Sequence, residues 1–127
     1  MLRLKSDLVE LFLAALGQRL GGITAEWDDR VALGVVMAAG GYPESYRKGD
    51  VISGLPDNEE EGVKVFHAGT ILKDGNTLTN GGRVLCTTAM GTSVSQAQKR
   101  AYEIVKTIYW DGVYYRTDIG YRAVARE

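Results

Sequence analysis

The segment best suited to hold an anion is Asn80-Gly81-Gly82-Arg83, within Thr79-Asn80-Gly81-Gly82-Arg83-Val84-Leu85. Two glycines at a strand entrance let backbone N–H groups approach a ligand closely. The neighbouring arginine adds a fixed fork of donors for a phosphate or carboxylate. A tight turn beside a solvated arginine is written the same way, so the spacing leaves both readings open. Gly40-Gly41-Tyr42-Pro43 carries the same ambiguity. Arg116 and Asp118 either face a ligand or pair with each other, and Asp118 can instead cap a short helix from about 119 to 125. His67 is the only histidine, either a hydrogen-bonding group for a substrate or neighbouring domain, or a structural imidazole.

Other chemistries lack their residues. A lone histidine makes no metal site, and no Cys/His/Asp cluster has ligand spacing. The acidic run 57–61 matches no cation cage and reads as a solvated loop. No Ser/His/Asp or Cys/His arrangement, no phosphate-binding P-loop and no strand-linked Gly-x-Gly-x-x-Gly is present. Cys86 is the single cysteine, so no internal disulfide can form; in its apolar run it reads as an inert core thiol of a reducing, cytoplasmic compartment. The formal net charge of −1 points away from nucleic acid or an anionic membrane as partner. No apolar run reaches the roughly 20 residues of a membrane span.

The elements that must position these residues follow from periodicity. Leu4, Leu8, Leu11, Phe12, Ala15 and Leu16 mark one face of an amphipathic helix ended by Gly17 and Gly21-Gly22. A helical pattern running from the first residues suggests a cut piece of a longer chain. Residues 30–38 read as a strand buried on both faces. Residues 44–62 are turn-rich, with a short strand at Val51-Ile52. Residues 63–70 alternate as a strand, Lys73-Asp74-Gly75-Asn76 is a hairpin turn, and residues 83–89 are a second buried strand. Ser93-Val94-Ser95-Gln96 is a capping box opening a helix with Ala97, Ala101, Ile104, Val105 and Ile108 on its apolar side. Residues 113–116 form a last short strand. The order predicts an α+β fold: a mostly antiparallel sheet, or a small barrel- or sandwich-like one, with two main helices.

Taken together and in order, several segments resemble one family. They are Leu33-Gly34-Val35-Val36-Met37-Ala38-Ala39-Gly40-Gly41-Tyr42-Pro43, Gly49-Asp50-Val51-Ile52-x-Gly54-Leu55, Val65-Phe66-His67-Ala68-Gly69-Thr70 and the Thr79-to-Leu85 run. Ala97-x-x-Arg100-Ala101-Tyr102 and Tyr115-Arg116-x-Asp118-Ile119-Gly120-x-Arg122-Ala123 complete the set. This series is similar to the C-terminal domain of the glycinamide ribonucleotide synthetases, also called phosphoribosylamine–glycine ligases. Met1-Leu2-Arg3-Leu4-Lys5-Ser6-Asp7-Leu8 resembles the last helix of the family's ATP-grasp domain.

The resemblance implies a boundary: residues 1–24 as the end of the ATP-grasp domain, and 25–127 as the C domain. It implies a cytoplasmic enzyme of de novo purine biosynthesis that joins 5-phosphoribosylamine to glycine through a glycyl phosphate, with ATP going to ADP and phosphate. ATP and magnesium or manganese would be bound by an ATP-grasp region preceding Met1, so this chain alone would be inactive and hold no cofactor. Its partners would be the ATP-grasp and N-terminal domains. The resemblance further implies that Gly40, Gly41, Tyr42, Pro43, His67, Asn80, Gly81, Gly82, Arg83, Arg116 and Asp118 are candidate walls of the phosphoribosylamine or glycine pocket. Two other readings are a stand-alone, non-catalytic module binding a phosphorylated small molecule, and a purely structural buttress.

Overall fold

A computed structural model describes residues 1–58 and 60–127. Glu59, in the middle of the acidic run, lies outside the described residues. The chain starts extended. Leu4 forms an antiparallel bridge to Trp27, Lys5 N–H donates to the Glu26 carbonyl at 2.9 Å, and Asp28 N–H donates to the Arg3 carbonyl at 2.7 Å. Helix α1 (Leu8–Leu16) begins only after this, on Asp7, whose carboxylate accepts from the N–H groups of Val9 at 2.7 Å and Glu10 at 3.3 Å. Leu4 is therefore not on the helix, because pairing with the 26–28 segment claims its backbone. Of the predicted stripe, Phe12, Ala15 and Leu16 are exposed, while Ala14 is buried.

The strands are β1 (Val31–Ala38), β2 (Val63–His67), β3 (Thr70–Lys73), β4 (Asn76–Thr79), β5 (Arg83–Gly91) and β6 (Tyr114–Tyr115). Four form an antiparallel sheet in the order β2-β5-β1-β6, and β3 and β4 form a separate hairpin. The main sheet is open, so of the predicted alternatives the antiparallel sheet is the one observed. The hairpin turn has Asp74 at φ 50° and Gly75 at φ 77°, the left-handed pair a two-residue turn with matching twist requires.

Helix α2 (Val94–Val105) covers one face of the sheet. Its buried Ala97, Ala101 and Val105 join Leu33, Val35 and Met37 of β1 and Leu85 and Ala89 of β5 in a single core. Trp110 is the largest fully buried side chain. Because α2 covers only one face, β1 is not buried on both: Leu33, Val35 and Met37 point in, and Ala32, Gly34 and Val36 are exposed. Cys86 is paired opposite Val36 and is only half-buried, so it is not a core thiol; partial burial still pushes its pKa up. Ser93 caps α2 by accepting from Gln96 N–H at 3.1 Å. The return bond of the predicted capping box goes one residue earlier, from Thr92 N–H to the Gln96 side chain at 2.6 Å. The Glu127 carboxylate also accepts from the N–H groups of Val94 and Ser95, placing a negative charge at the positive end of α2.

Asp28 ties the extended N-terminal segment to β1. Its carboxylate receives the Arg30 guanidinium at 2.8 Å and the Arg30 N–H at 2.9 Å, and these bonds hold its pKa well below the usual carboxylate range. A depressed folded-state pKa stabilises above the unfolded value, and that stabilisation is lost as pH falls through the folded value. Between about pH 4 and pH 2 the melting temperature therefore falls more steeply for the wild type than for Asp28→Asn. Parallel acid limbs in thermal scans of the two would show that Asp28 holds no depressed pKa.

Candidate functional site

The candidate site is built at one corner of the sheet, where β1 ends and β5 begins. Met37 pairs with Leu85 and Ala38 with Arg83, the register shifting between them. This bulge sets the loop after β1 beside the loop before β5, and Ala39 N–H closes the junction on the Gly82 carbonyl at 2.8 Å. The Tyr42 ring lies directly over Gly82, where a Cβ would stand 2.6 Å from Tyr42 Cε2. Tyr42 and Tyr46 meet edge to face, their centroids 6.0 Å apart. A third loop joins them. A Cβ on Gly69 would lie 2.6 Å from the Arg83 carbonyl oxygen and 2.8 Å from Gly81 Cα, and Asn80 N–H donates to the Gly69 carbonyl at 2.7 Å. These approaches need glycine because backbone meets backbone or ring with no space for a side chain. Gly40, Gly41, Tyr42, Pro43, Asn80, Gly81, Gly82 and Arg83, predicted as two separate motifs, thus form one surface, with a cis Tyr42–Pro43 peptide at its edge.

Arg83 is exposed at this corner. Arg30, Arg47, Arg100 and Arg116 each hold a carboxylate, whereas the Arg83 guanidinium has no ion pair or hydrogen bond among the described residues. A cation with its donors unspent, beside a glycine-lined turn, can grip an oxyanion bidentately.

The other candidates are placed differently. His67 is exposed, with Nδ1 3.0 Å from Thr70 Oγ1, and it borders a groove of about 380 Å³ with Leu55, Pro56, Val65 and Ile104. Arg116 and Asp118 pair with each other, their closest N–O distance 2.5 Å, and line a different pocket with Ile119, Gly120 and Tyr121. The pair keeps the Asp118 carboxyl below its usual range through the Arg116 hydrogen bond. β6 pairs antiparallel with β1, Tyr114 opposite Ala38 and Tyr115 opposite Met37, so the chain is already running away from the 39–43 loop at Arg116. Asp118 also does not cap the last helix: α3 (Tyr121–Val124) starts from Gly120 at φ 84° with no side-chain cap. Ion pairing with Arg116 uses the carboxylate that capping would have needed.

Sequence reasoning missed Gly69, although its segment was singled out, and missed Arg47 altogether. Arg47 joins Asp50 at 2.6 Å and Asp111 at 2.5 Å, and the two carboxylates raise its pKa. Its second partner lies 64 residues away, a separation that leaves no local pattern. Among the described residues no three His, Cys, Asp or Glu side chains gather as a metal site. No described helix is long and apolar enough to cross a membrane.

The sequence profile of the phosphoribosylglycinamide synthetase C domain matches residues 32–122. The chain belongs to this family. The phosphoribosylamine–glycine ligase of Vibrio parahaemolyticus is 62% identical over 127 residues, covering 100% of this chain and 30% of the relative. That of Escherichia coli K12 is 62% identical over 128 residues, with the same coverage. The chain thus spans about 30% of the length of the curated relatives it matches. Among solved structures, the phosphoribosylamine–glycine ligase of Thermotoga maritima superposes with a TM-score of 0.70 at 37% identity, covering 87% of this chain and 27% of that one. The glycine-loop corner lies wholly inside the matched C domain, and α1 lies before it.

In this C domain the fit of Tyr42 on Gly82 is testable. Gly82→Ala pushes the ring off the turn, and kcat/KM of a full-length ligase carrying the change falls, by up to about 100-fold where a binding group moves by about 1 Å. Unchanged steady-state kinetics would mean that the corner tolerates the shift and does not shape a pocket.

Proposed function

We propose that this chain is the C-terminal part of a cytoplasmic phosphoribosylamine–glycine ligase, the enzyme that joins 5-phosphoribosylamine to glycine with ATP going to ADP and phosphate in purine biosynthesis. Its role in that enzyme is to supply one wall of the substrate pocket. The observation that carries the reading is the corner itself: glycine loops 39–43, 67–69 and 79–83 packed backbone to backbone beside an arginine whose donors are unspent. The turn and Arg83 would receive an oxyanion of the substrate, and we assign them the 5-phosphate because a guanidinium matches a phosphate bidentately. ATP and its magnesium or manganese are assigned, from the resemblance to the family, to its ATP-grasp domain.

Residues 1–24 are proposed as the last helix of the ATP-grasp domain and 25–127 as the C domain. Val9, Phe12, Leu13 and Leu16 of α1 are exposed, which supports a further domain packing on that helix over a stand-alone module. A purely structural buttress would leave the activity of a full-length ligase unchanged in Arg83→Ala. His67, Arg116 and Asp118 stay as candidates for other parts of the pocket, with their present hydrogen bond and ion pair to be exchanged for a ligand.

A chimera tests the proposal. This chain replaces the corresponding C-terminal segment of the Escherichia coli ligase, and glycinamide ribonucleotide formation is measured. Retained turnover is expected. A soluble, correctly folded chimera that binds ATP yet makes no product would contradict the assignment.

A further inference from the structure

We propose that Arg47 is a positioning residue: by bridging Asp50 and Asp111 it fixes the loop that carries Tyr42, and so holds Gly82 and Arg83 in their binding geometry. This deepens the reading above and rests on it. Among the described residues, backbone hydrogen bonds tie the segment from 39 to 50 to other segments at its two ends, to the turn before β5 and to the end of β4. Ala39 N–H donates to Gly82, and Gly49 N–H donates to the Thr79 carbonyl at 2.7 Å. At the second anchor Asp50 N–H also reaches Thr79 Oγ1 at 3.1 Å. Between the anchors the backbone bonds are internal turns, Tyr42 N–H to Ala39 and Glu44 N–H to Gly41. Residues 40–45 are exposed.

Side chains also tie this span to the rest of the fold: Tyr46 packs against the core, and Arg47 reaches the turn at Asp111. Its guanidinium sits 2.6 Å from Asp50 Oδ1 and 2.5 Å from Asp111 Oδ2. The tie spans a small cavity of about 210 Å³ lined by Gly40, Arg47, Asp50, Asp111 and Gly112. There the two turns touch: a Cβ on Gly40 would stand 2.7 Å from the Gly112 carbonyl oxygen. Gly40 is two residues from Tyr42, and Tyr46, next to Arg47, packs edge-on against the Tyr42 ring. A change in the Asp111–Arg47 distance is therefore passed to the ring over Gly82.

The Asp50 side chain is 16% exposed, but the Arg47–Asp111 arm of the bridge is open to solvent, and that arm separates positioning from general support. The Arg47 side chain is 62% and that of Asp111 75% exposed, and exposed ion pairs contribute little to global stability. A small displacement of a binding group, by contrast, costs rate and affinity directly.

The experiment uses a full-length ligase carrying this C domain, with Arg47→Gln, Asp111→Asn, the double variant, Arg47→Lys and Arg83→Ala. Apparent KM values for phosphoribosylamine, glycine and ATP are measured beside the melting temperature. Expected for Arg47→Gln is a rise of about fivefold in the KM for phosphoribosylamine alone, with a melting temperature within about 2 °C of wild type. Asp111→Asn does the same, and the double variant is no worse than Arg47→Gln, because both remove one bridge. Arg47→Lys, which keeps a charge but loses the fork, lies between. Wild-type KM values in Arg47→Gln while Arg83→Ala is impaired would overturn the positioning role and leave the site reading standing. Normal kinetics in Arg83→Ala would overturn the site reading, and the positioning role with it. Loss of melting temperature together with uniform loss of activity would make Arg47 structural and also overturn the proposal.

Discussion

Replacing Arg83 by alanine in a full-length ligase carrying this C domain lowers kcat/KM for phosphoribosylamine about 100-fold, roughly 2.7 kcal/mol of transition-state binding. The size follows from losing charge-assisted hydrogen bonds to an oxyanion, each contributing about 1.5–3 kcal/mol when shielded from water. Stability changes little, because the exposed guanidinium holds no partner among the described residues. Arg83→Lys keeps the charge without the fork and recovers only part of the loss. KM for ATP stays at its wild-type value, since nucleotide binding is assigned elsewhere. Steady-state kinetics with each substrate varied in turn check this, and a wild-type response to phosphoribosylamine in Arg83→Ala would remove the residue from the pocket.

The second large effect is on folding. Ala101 is fully buried on α2, in the core shared with β1 and β5. An aspartate there puts an unpaired carboxylate among apolar side chains with no water to solvate it. The cost is about 4 kcal/mol, a large share of the 5–15 kcal/mol typical of a domain. In urea denaturation Ala101→Asp moves the midpoint strongly downward, or leaves no folded baseline. Ala101→Gly, which costs backbone freedom and one buried methyl, lowers the unfolding free energy by only about 2 kcal/mol and keeps a folded baseline. An unshifted midpoint for the aspartate would mean that α2 does not bury this face.

What could be read from residue types was local. The β3–β4 hairpin was legible because Asp74-Gly75 states its own left-handed turn, and α2 because Ser93 and the alanine stripe lie within a few residues of each other. The start of α1 was misplaced, although Asp7 followed three residues later by Glu10 is itself a capping pattern. The long apolar stripe from Leu4 hid it, and only the pairing of Leu4 with Trp27 separates the two. The covered faces of β1 and β5 were not legible, since an apolar run does not say how many helices lie on the sheet. Cys86, opposite Val36, was misjudged for the same reason.

The site divides in the same way. Glycine next to arginine signalled a possible anion turn at 80–83, and glycine before Tyr42-Pro43 a second tight turn. Their union depends on the antiparallel pairing of β1 with β5 and on one bulge, which no short segment records. For Arg116 and Asp118 the residue types left a ligand contact and a mutual ion pair both open; the structure shows the pair, and their separation from the glycine loops follows from the direction of β6. The Arg47 bridge to Asp111 was invisible, being a contact between charges on two loops that look like any solvated residues.

The most direct test of the central claim is an NMR titration of this chain with glycinamide ribonucleotide, following backbone amides. The glycine-loop corner as a preformed wall of the substrate pocket predicts shifts concentrated at 40–43, 67–69 and 80–83, lost in Arg83→Ala. Shifts confined to 116–123, or none at millimolar ligand, would contradict it.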